Sequence, residues 1–479
     1  MKGISSRLRG PAVAGLLIGL LVSGSPANAV APGVTVTTGR HTYTGTIDGA
    51  DFRVETPRRW NGTLVLFSHG NWPVGFPPPG GIWLSNRPPD RSRTEAWLLD
   101  NGYALAASNF KGVTGFAMKD ALQDQIALLD WFEANVGRPR RTVATGHSNG
   151  AAISALLAER NPHRFAGVAT ACGEFDPPGT LNTALDMLFA VKALLVPADQ
   201  QDIELVRARE PDRGNEVLSN AILDAVTTPQ GRARIALIAA LGNIPGAFSA
   251  HEPAPRPGTE DWVRKQADWI MGYIIFGGPK ERGDLERRAG GNPSFNTGID
   301  YRRLLSQSSQ TELVRRAYHA TPGADLNADL DRLNATPRIA ADPAALAYMD
   351  QFALPTGRIS MPFITIHTEQ DGGAVAEHER WYAGQVRQHG NPANLRQVYV
   401  DRGMHCAFSD AEELVTLRAL FERIDTGRWP NLSPRRLNAA AGEFTDPHHQ
   451  VLDFTTFQDK LMPPAFTNFT PARFLRPSR

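Results

Sequence analysis

The 479-residue sequence predicts an α/β fold: a doubly wound, mostly parallel sheet with a largely helical domain inserted into it. Three observations carry that prediction. Short continuous apolar runs at 64–67 and 103–107 have the pattern of strands buried on both faces, which a parallel sheet requires. They alternate with segments of helical periodicity through short connections. Between residues 177 and 355 the strand signal fades, and helical segments separated by Pro/Gly-rich breaks replace it.

Residues 1–29 read as a secretory signal. Lys2, Arg7 and Arg9 give a basic start, the apolar run at 12–22 is too short to span a bilayer as a mature helix, and Ala27-Asn28-Ala29 fits the small-x-small cleavage rule. The mature chain is expected to begin at Val30 and to be secreted, an uncleaved anchor being the alternative. No Cys follows the apolar run to take a lipid, and no later segment reaches the roughly 18 apolar residues of a span, so no stable membrane anchor is expected.

The core begins with Thr42-Tyr43-Thr44-Gly45 and Asp51-Phe52-Arg53-Val54, which alternate about the turn signal Asp48-Gly49 and predict strands. Asn61-Gly62 leads into the buried strand at 64–67, and residues 68–81, rich in Pro and Gly, form a loop. A second strand is expected at 103–107. Ala121, Leu122, Ile126, Leu128, Leu129 and Phe132 predict a helix over 119–136, then come a strand at 141–145, an Ala/Leu-rich helix at 151–159 and a strand at 165–170. Residues 30–176 thus form the first part of the core. In the insertion, 177–355, helices are expected at 181–196, 202–209, 216–226, 233–241 and 262–276, forming either a packed cap or an interfacial lid. Residues 356–430 complete the core with strands at 362–367 and 395–401 and helices at about 374–389 and 410–426. The tail, 431–479, lacks periodicity, but Phe444, Phe454, Phe457, Phe466, Phe469 and Phe474 predict a strap packed on the body.

Composition excludes several classes. With 50 Lys+Arg against 49 Asp+Glu, charge gives no case for a nucleic-acid partner. Two Cys residues cannot build a disulfide scaffold or a Cys-rich zinc site. There is no His-Glu-x-x-His, no phosphate-binding Gly-x-x-x-x-Gly-Lys-Ser/Thr and no Gly-x-Gly-x-x-Gly after a strand, so neither a metal nor a cofactor is implied.

The sharpest feature is Gly146-His147-Ser148-Asn149-Gly150 between a buried strand and an Ala-rich helix. In that setting Gly-x-Ser-x-Gly makes a turn too tight for side chains two positions either side of the serine, and it lifts the Ser148 hydroxyl clear of the sheet at a helix N-terminus. The plain alternative is a serine capping that helix. A hydroxyl becomes a good nucleophile only when a base takes its proton and an acid orients the base. Of the 12 histidines, His405 lies just after the last core strand, where a loop can bring it over the serine; His367 ends a strand but has no later acid. Asp371, one short loop past the strand at 362–367, is the preferred acid. Glu369 competes nearby, and Glu174 or Asp176 is a further possibility. Negative charge on a carbonyl oxygen needs two backbone donors: the Asn149 amide, and the amide of Asn71 or Gly70 in the loop after the first buried strand. His69 is expected to shape that loop. Trp72, Phe76 and His147 are the candidate substrate contacts; Trp72 and Phe76 make either an apolar wall or packing.

The order Ser148, Asp371, His405, with a His-Gly loop upstream and the Gly-x-Ser-x-Gly turn, resembles the α/β-hydrolase superfamily over residues 60–175 and 360–428. The resemblance implies ester or amide hydrolysis without a cofactor, on a small-molecule or polymeric ester, with the insertion as the cap. The pair His405-Cys406 is similar to the tannase and feruloyl esterase branch, in which a cysteine beside the histidine is bridged to one beside the serine. Here position 147 is His, so the bridge cannot be the same. A bridge between Cys172 and Cys406, each expected beyond the carboxyl end of a strand, would hold the histidine loop; two buried thiols are the alternative. The function expected is a secreted serine esterase, with a peptidase or amidase, or a non-catalytic binding protein, as alternatives.

Overall fold

Residues 33–37 and 39–478 are described by the structure, a computed structural model; the expected signal segment 1–29 lies outside them. The chain enters as a meander of β1 (Gly33–Thr37), β2 (Arg40–Ile47) and β3 (Ala50–Thr56). The core follows with β4 (Thr63–Ser68), α1 (Arg93–Asp100), β5 (Ala104–Ser108), α2 (Met118–Asn135), β6 (Arg141–His147), α3 (Asn149–Arg160) and β7 (Gly167–Ala171). Nine helices of the described residues then intervene: α4 (Pro177–Leu194), α5 (Pro211–Ala225), α6 (Pro229–Ala240), α7 (Glu260–Gly277), α8 (Pro279–Ala289), α9 (Tyr301–Gln307), α10 (Thr311–His319), α11 (Leu326–Ala335) and α12 (Pro343–Phe352). The sheet resumes with β8 (Phe363–Gln370), α13 (Glu377–His389), β9 (Leu395–Gly403) and α14 (Asp410–Thr426). The chain closes with α15 (Pro434–Ala441), the hairpin β10 (Gln450–Asp453) and β11 (Gln458–Leu461), and β12 (Phe466–Thr467).

Among the described residues one sheet has the order β1-β2-β3-β5-β4-β6-β7-β8-β9-β12. The run from β5 to β9 is parallel, and β1 to β3 and β12 add antiparallel edges. The chain goes from β4 to one side for β5, then returns past β4 to place β6 on the other. That reversal opens a crevice at the carboxyl ends of β4 and β6, where ligands of such sheets bind. Every residue of β4, β5 and β7 is buried, whereas β2 alternates with solvent. Leu64 and Leu66 pack with α2 and α3 on one face, and Val65 and Phe67 with α1 and α14 on the other.

Local chemistry sets the helix limits. Ser409 and Glu412 form a reciprocal capping box at the start of α14, and left-handed Gly427 ends it. Prolines 177, 211, 229, 279 and 343 occupy the first turns of α4, α5, α6, α8 and α12, so several of these helices begin earlier than their apolar periodicity. The helix expected at 202–209 does not form. Arg207 has φ 49° and the Glu204 carboxylate accepts from the Arg209 amide at 2.8 Å, so a tight turn replaces it before Pro211. The tail has more regular structure than its sequence pattern conveys. β12 pairs with β9, Phe466 and Phe474 are buried, and Arg476 forms a buried pair with Asp186 of α4 at 2.5 Å. Among the described residues no helix is long and apolar enough to cross a membrane.

Candidate active site

Ser148 occupies a backbone conformation that few side-chain-bearing residues adopt, φ 55° and ψ −127°, at the junction of β6 and α3. Such a residue costs on the order of 1–3 kcal/mol and persists only where its surroundings enforce it. The enforcement is steric. A Cβ on Gly146 would lie 2.3 Å from the Gly150 carbonyl oxygen, and one on Gly150 would lie 2.0 Å from that of Ser68. Backbone bonds complete it: the Ser148 amide donates to Ala171 at 3.1 Å, and its carbonyl accepts from Ala151 at 3.0 Å and Glu174 at 3.2 Å. The hydroxyl therefore stands at the N-terminus of α3, above the carboxyl end of the sheet.

Asp371 follows β8 and is buried. Its Oδ1 accepts from the amides of Gly373 at 2.8 Å and Ala374 at 3.0 Å, and its Oδ2 accepts from His405 Nδ1 at 2.7 Å. Burial alone would raise its pKa, but His405 and His367 more than offset it and hold the carboxyl below its ordinary value. With Nδ1–H directed at Asp371, His405 keeps Nε2 as its basic nitrogen. Cys172 and Cys406 form a disulfide, with Cα atoms 5.2 Å apart. Ala171 is the register partner of His147, so the bridge fastens the residue after His405 to the strand end beside Ser148. The two sulfurs and a His405 ring nitrogen lie within 4.8 Å of one another. Among the described residues no hydrogen bond joins the Ser148 hydroxyl to His405; in unliganded sites such bonds are often long and tighten around substrate.

Beside the serine runs the loop after β4. A Cβ on Gly70 would lie 2.9 Å from that of Ser148, so glycine is needed there for backbone to pass the serine. The Gly70 amide donates to His147 Nε2 over 3.4 Å, which leaves the Asn71 amide as the better partner for the Asn149 amide at the first position of α3. His69 donates from Nδ1 to the Gly70 carbonyl at 2.7 Å and stacks on Phe110. Burial lowers its pKa, so it is a neutral loop-shaping residue.

A mostly parallel, doubly wound sheet with a strained turn after its central strand, loops after β8 and β9 at the same rim, and helices inserted after β7 decide the fold. The chain has the α/β-hydrolase fold. No family model matches it. It is similar to an o-phthalyl amidase from Xanthobacter agilis, 28% identical over 422 residues that cover 82% of this chain and 89% of that one. Solved structures similar to it include an esterase from Aspergillus oryzae, with 14% identity, TM-score 0.38, 82% of this chain and 80% of that one. Feruloyl esterase B from the same organism has 14% identity and TM-score 0.39, with 82% of each chain covered.

In this fold the competing acids lie elsewhere. Asp176 caps α4, accepting from the Gly179 amide at 2.9 Å. Glu369 is half-buried beside Asp401, and burial pushes it up to about 7. Glu174 is buried near Asp371, pushed up to about 8 mainly by burial. His147 is placed inward, against Phe67 and Trp83, where burial with repulsion from His405 and His69 lowers its pKa to about 3. Its Nε2 accepts from the Gly70 amide and so supports that loop. Trp72 packs edge-on against Trp83, while Phe76 is 56% exposed. Asn71, Phe116, Leu181 and Phe276 line one hollow between this loop and the insertion.

Sequence reasoning missed three contributors. His367, set aside for want of an acid, contacts both Asp371 and Glu379. Its spacing of four from Asp371 across a strand end was the available signal. Gly373 is pressed against His405, where a Cβ would lie 3.0 Å from Cγ, and Tyr273 of α7 donates to the Gly373 carbonyl at 3.1 Å. Nothing in the sequence of α7 marks Tyr273 for that contact.

Proposed function

We propose that this chain is a serine hydrolase that forms an acyl-enzyme. Ser148 attacks a carboxyl carbon while His405 Nε2 takes its proton. Asp371 holds the imidazole by Nδ1 and stabilises its charged form, and the amides of Asn149 and Asn71 receive the negative oxygen. The imidazolium then gives its proton to the leaving group, and water, activated by the same histidine, releases the acid. The observation that carries this reading is the Asp371–His405 bond on a loop bridged to the strand end beside Ser148. Export through the segment 1–29 fits the disulfide, which needs an oxidising compartment.

A carboxylic ester is the substrate this machinery handles with least demand, because an ester carbonyl is the more electrophilic and an alkoxide leaves far more readily than an amide anion, whose nitrogen must be protonated before it can go. A second reading, amide hydrolysis, is favoured by the similarity to the o-phthalyl amidase over most of both chains. An o-phthalyl amide and the ester of the same acyl group, assayed side by side, separate the readings. Burst kinetics on the ester with slow amide turnover support esterase action; equal or faster amide turnover supports the amidase; hydrolysis of neither, or of both without dependence on Ser148, contradicts the proposal.

A further inference from the structure

Beside the candidate acid lies a second imidazole whose protonation follows from its partners. His367 is wholly buried at the end of β8. Its Nε2 is 2.8 Å from the Ala374 carbonyl oxygen and 3.4 Å from Asp371 Oδ2, and its Nδ1 is 3.0 Å from Glu379 Oε1. A carbonyl oxygen only accepts, so Nε2 must carry a proton. At Nδ1 the partner is a carboxylate whose other oxygen already accepts from the Thr365 hydroxyl at 2.7 Å and the Gln397 amide at 2.5 Å. A proton between these two groups resides on the imidazole, the stronger base.

We infer that His367 is held as an imidazolium and is a positioning residue for the triad, fixing Asp371 as a carboxylate and offsetting the negative charge behind the His405 ring. The inference rests on the serine hydrolase reading. Burial opposes charge on His367, but the bonds to Asp371 and Glu379 outweigh it and raise its pKa to about 10. Three other titratable groups around it carry little charge in mildly acidic solution. Glu377 of α13 and Glu174 after β7 are pushed up, mainly by burial, to about 7 and about 8, and His378 is pushed down by burial to about 3. Tyr273 of α7 and Tyr399 of β9 stay neutral, both raised by burial. The charges that face His405 from behind are therefore two carboxylates and one imidazolium. Removing the imidazolium leaves two uncompensated anions behind the His405 ring.

Two measurements test this. Nitrogen-15 NMR of the wild-type histidine rings is expected to find both nitrogens of His367 protonated from pH 6 to pH 8; a neutral ring at pH 7 overturns the inference whatever the enzyme's activity. In His367→Gln the rate of serine labelling by a fluorophosphonate is expected to keep its acid limb but move it upward by about one pH unit, the effect of deleting one nearby charge. Glu379→Gln removes a negative charge and is expected not to move the limb upward. Labelling that slows in both variants with the limb unmoved assigns His367 a purely structural part and overturns the proposal. Absence of labelling in the wild type refutes the serine hydrolase reading, and the NMR result still decides the charge of His367.

Discussion

The rim of the sheet and the helices inserted beside it tolerate change very differently, and their glycines make the contrast measurable. At the rim, Gly70, Gly146, Gly150, Gly372 and Gly373 each have another atom within 3.0 Å of where a Cβ would sit. Within α7 and α8, Gly272 and Gly283 have nothing within 4 Å. The insertion has crowded glycines too, in the first turns of helices, as Gly179 of α4 and Gly231 of α6, and between helices, as Gly246 against Trp262. The rim is held by contacts that fix atoms relative to one another, including a disulfide and a carboxylate with several donors. The helices are held by apolar burial, which fixes volume more than position. At their junction Trp269 of α7 presses on Gly372, and Tyr273 reaches the Gly373 carbonyl.

The largest expected effect is at the rim. Gly150→Ala must displace the Ser68 carbonyl, and it is expected to abolish activity and cost about 4 kcal/mol or more of stability, measured by urea unfolding. Unchanged activity would show that the turn is not rigid. Next, the double change Cys172→Ala, Cys406→Ala releases the histidine loop. A drop in kcat/KM of about tenfold to a hundredfold is expected, since small misplacements of catalytic groups cost that much; stability falls as well, because the bridge closes a loop of 234 residues.

A smaller effect is expected from pH. A histidine whose folded pKa is raised stabilises the protein fully below its ordinary value of 6.5, and the contribution is lost as pH climbs towards about 10. The thermal midpoint should therefore fall between pH 7 and pH 10, and less steeply in His367→Gln. For Asp371, whose pKa is lowered, the sign is opposite: its contribution is present above its ordinary value of 3.8 and lost as pH falls further. The smallest effect belongs to the insertion. Gly272→Ala, at an open helical position, is expected to stabilise by about 0.5–1 kcal/mol without changing activity.

The same contrast explains what was legible in the sequence. Strands buried on both faces wrote continuous apolar runs at β4 and β5, and helical periodicity outlined α2 between them and β6. Ser148, Asp371 and His405 were visible because each follows a strand in sequence. His367 and Tyr273 were not, because their parts depend on contacts between elements that no local pattern records. α1 lies after a long Pro/Gly loop and α15 in an aperiodic tail, and each has only eight residues, too few to display a strong period.

The central claim is that one hydroxyl, on the turn between β6 and α3, is activated by the bridged histidine loop. Mass spectrometry of the protein after reaction with a fluorophosphonate tests it most directly. The account predicts a single adduct on the peptide containing Ser148, absent from Ser148→Ala, whose thermal midpoint stays near that of the wild type. An adduct on another residue, or equal labelling of both proteins, would contradict it.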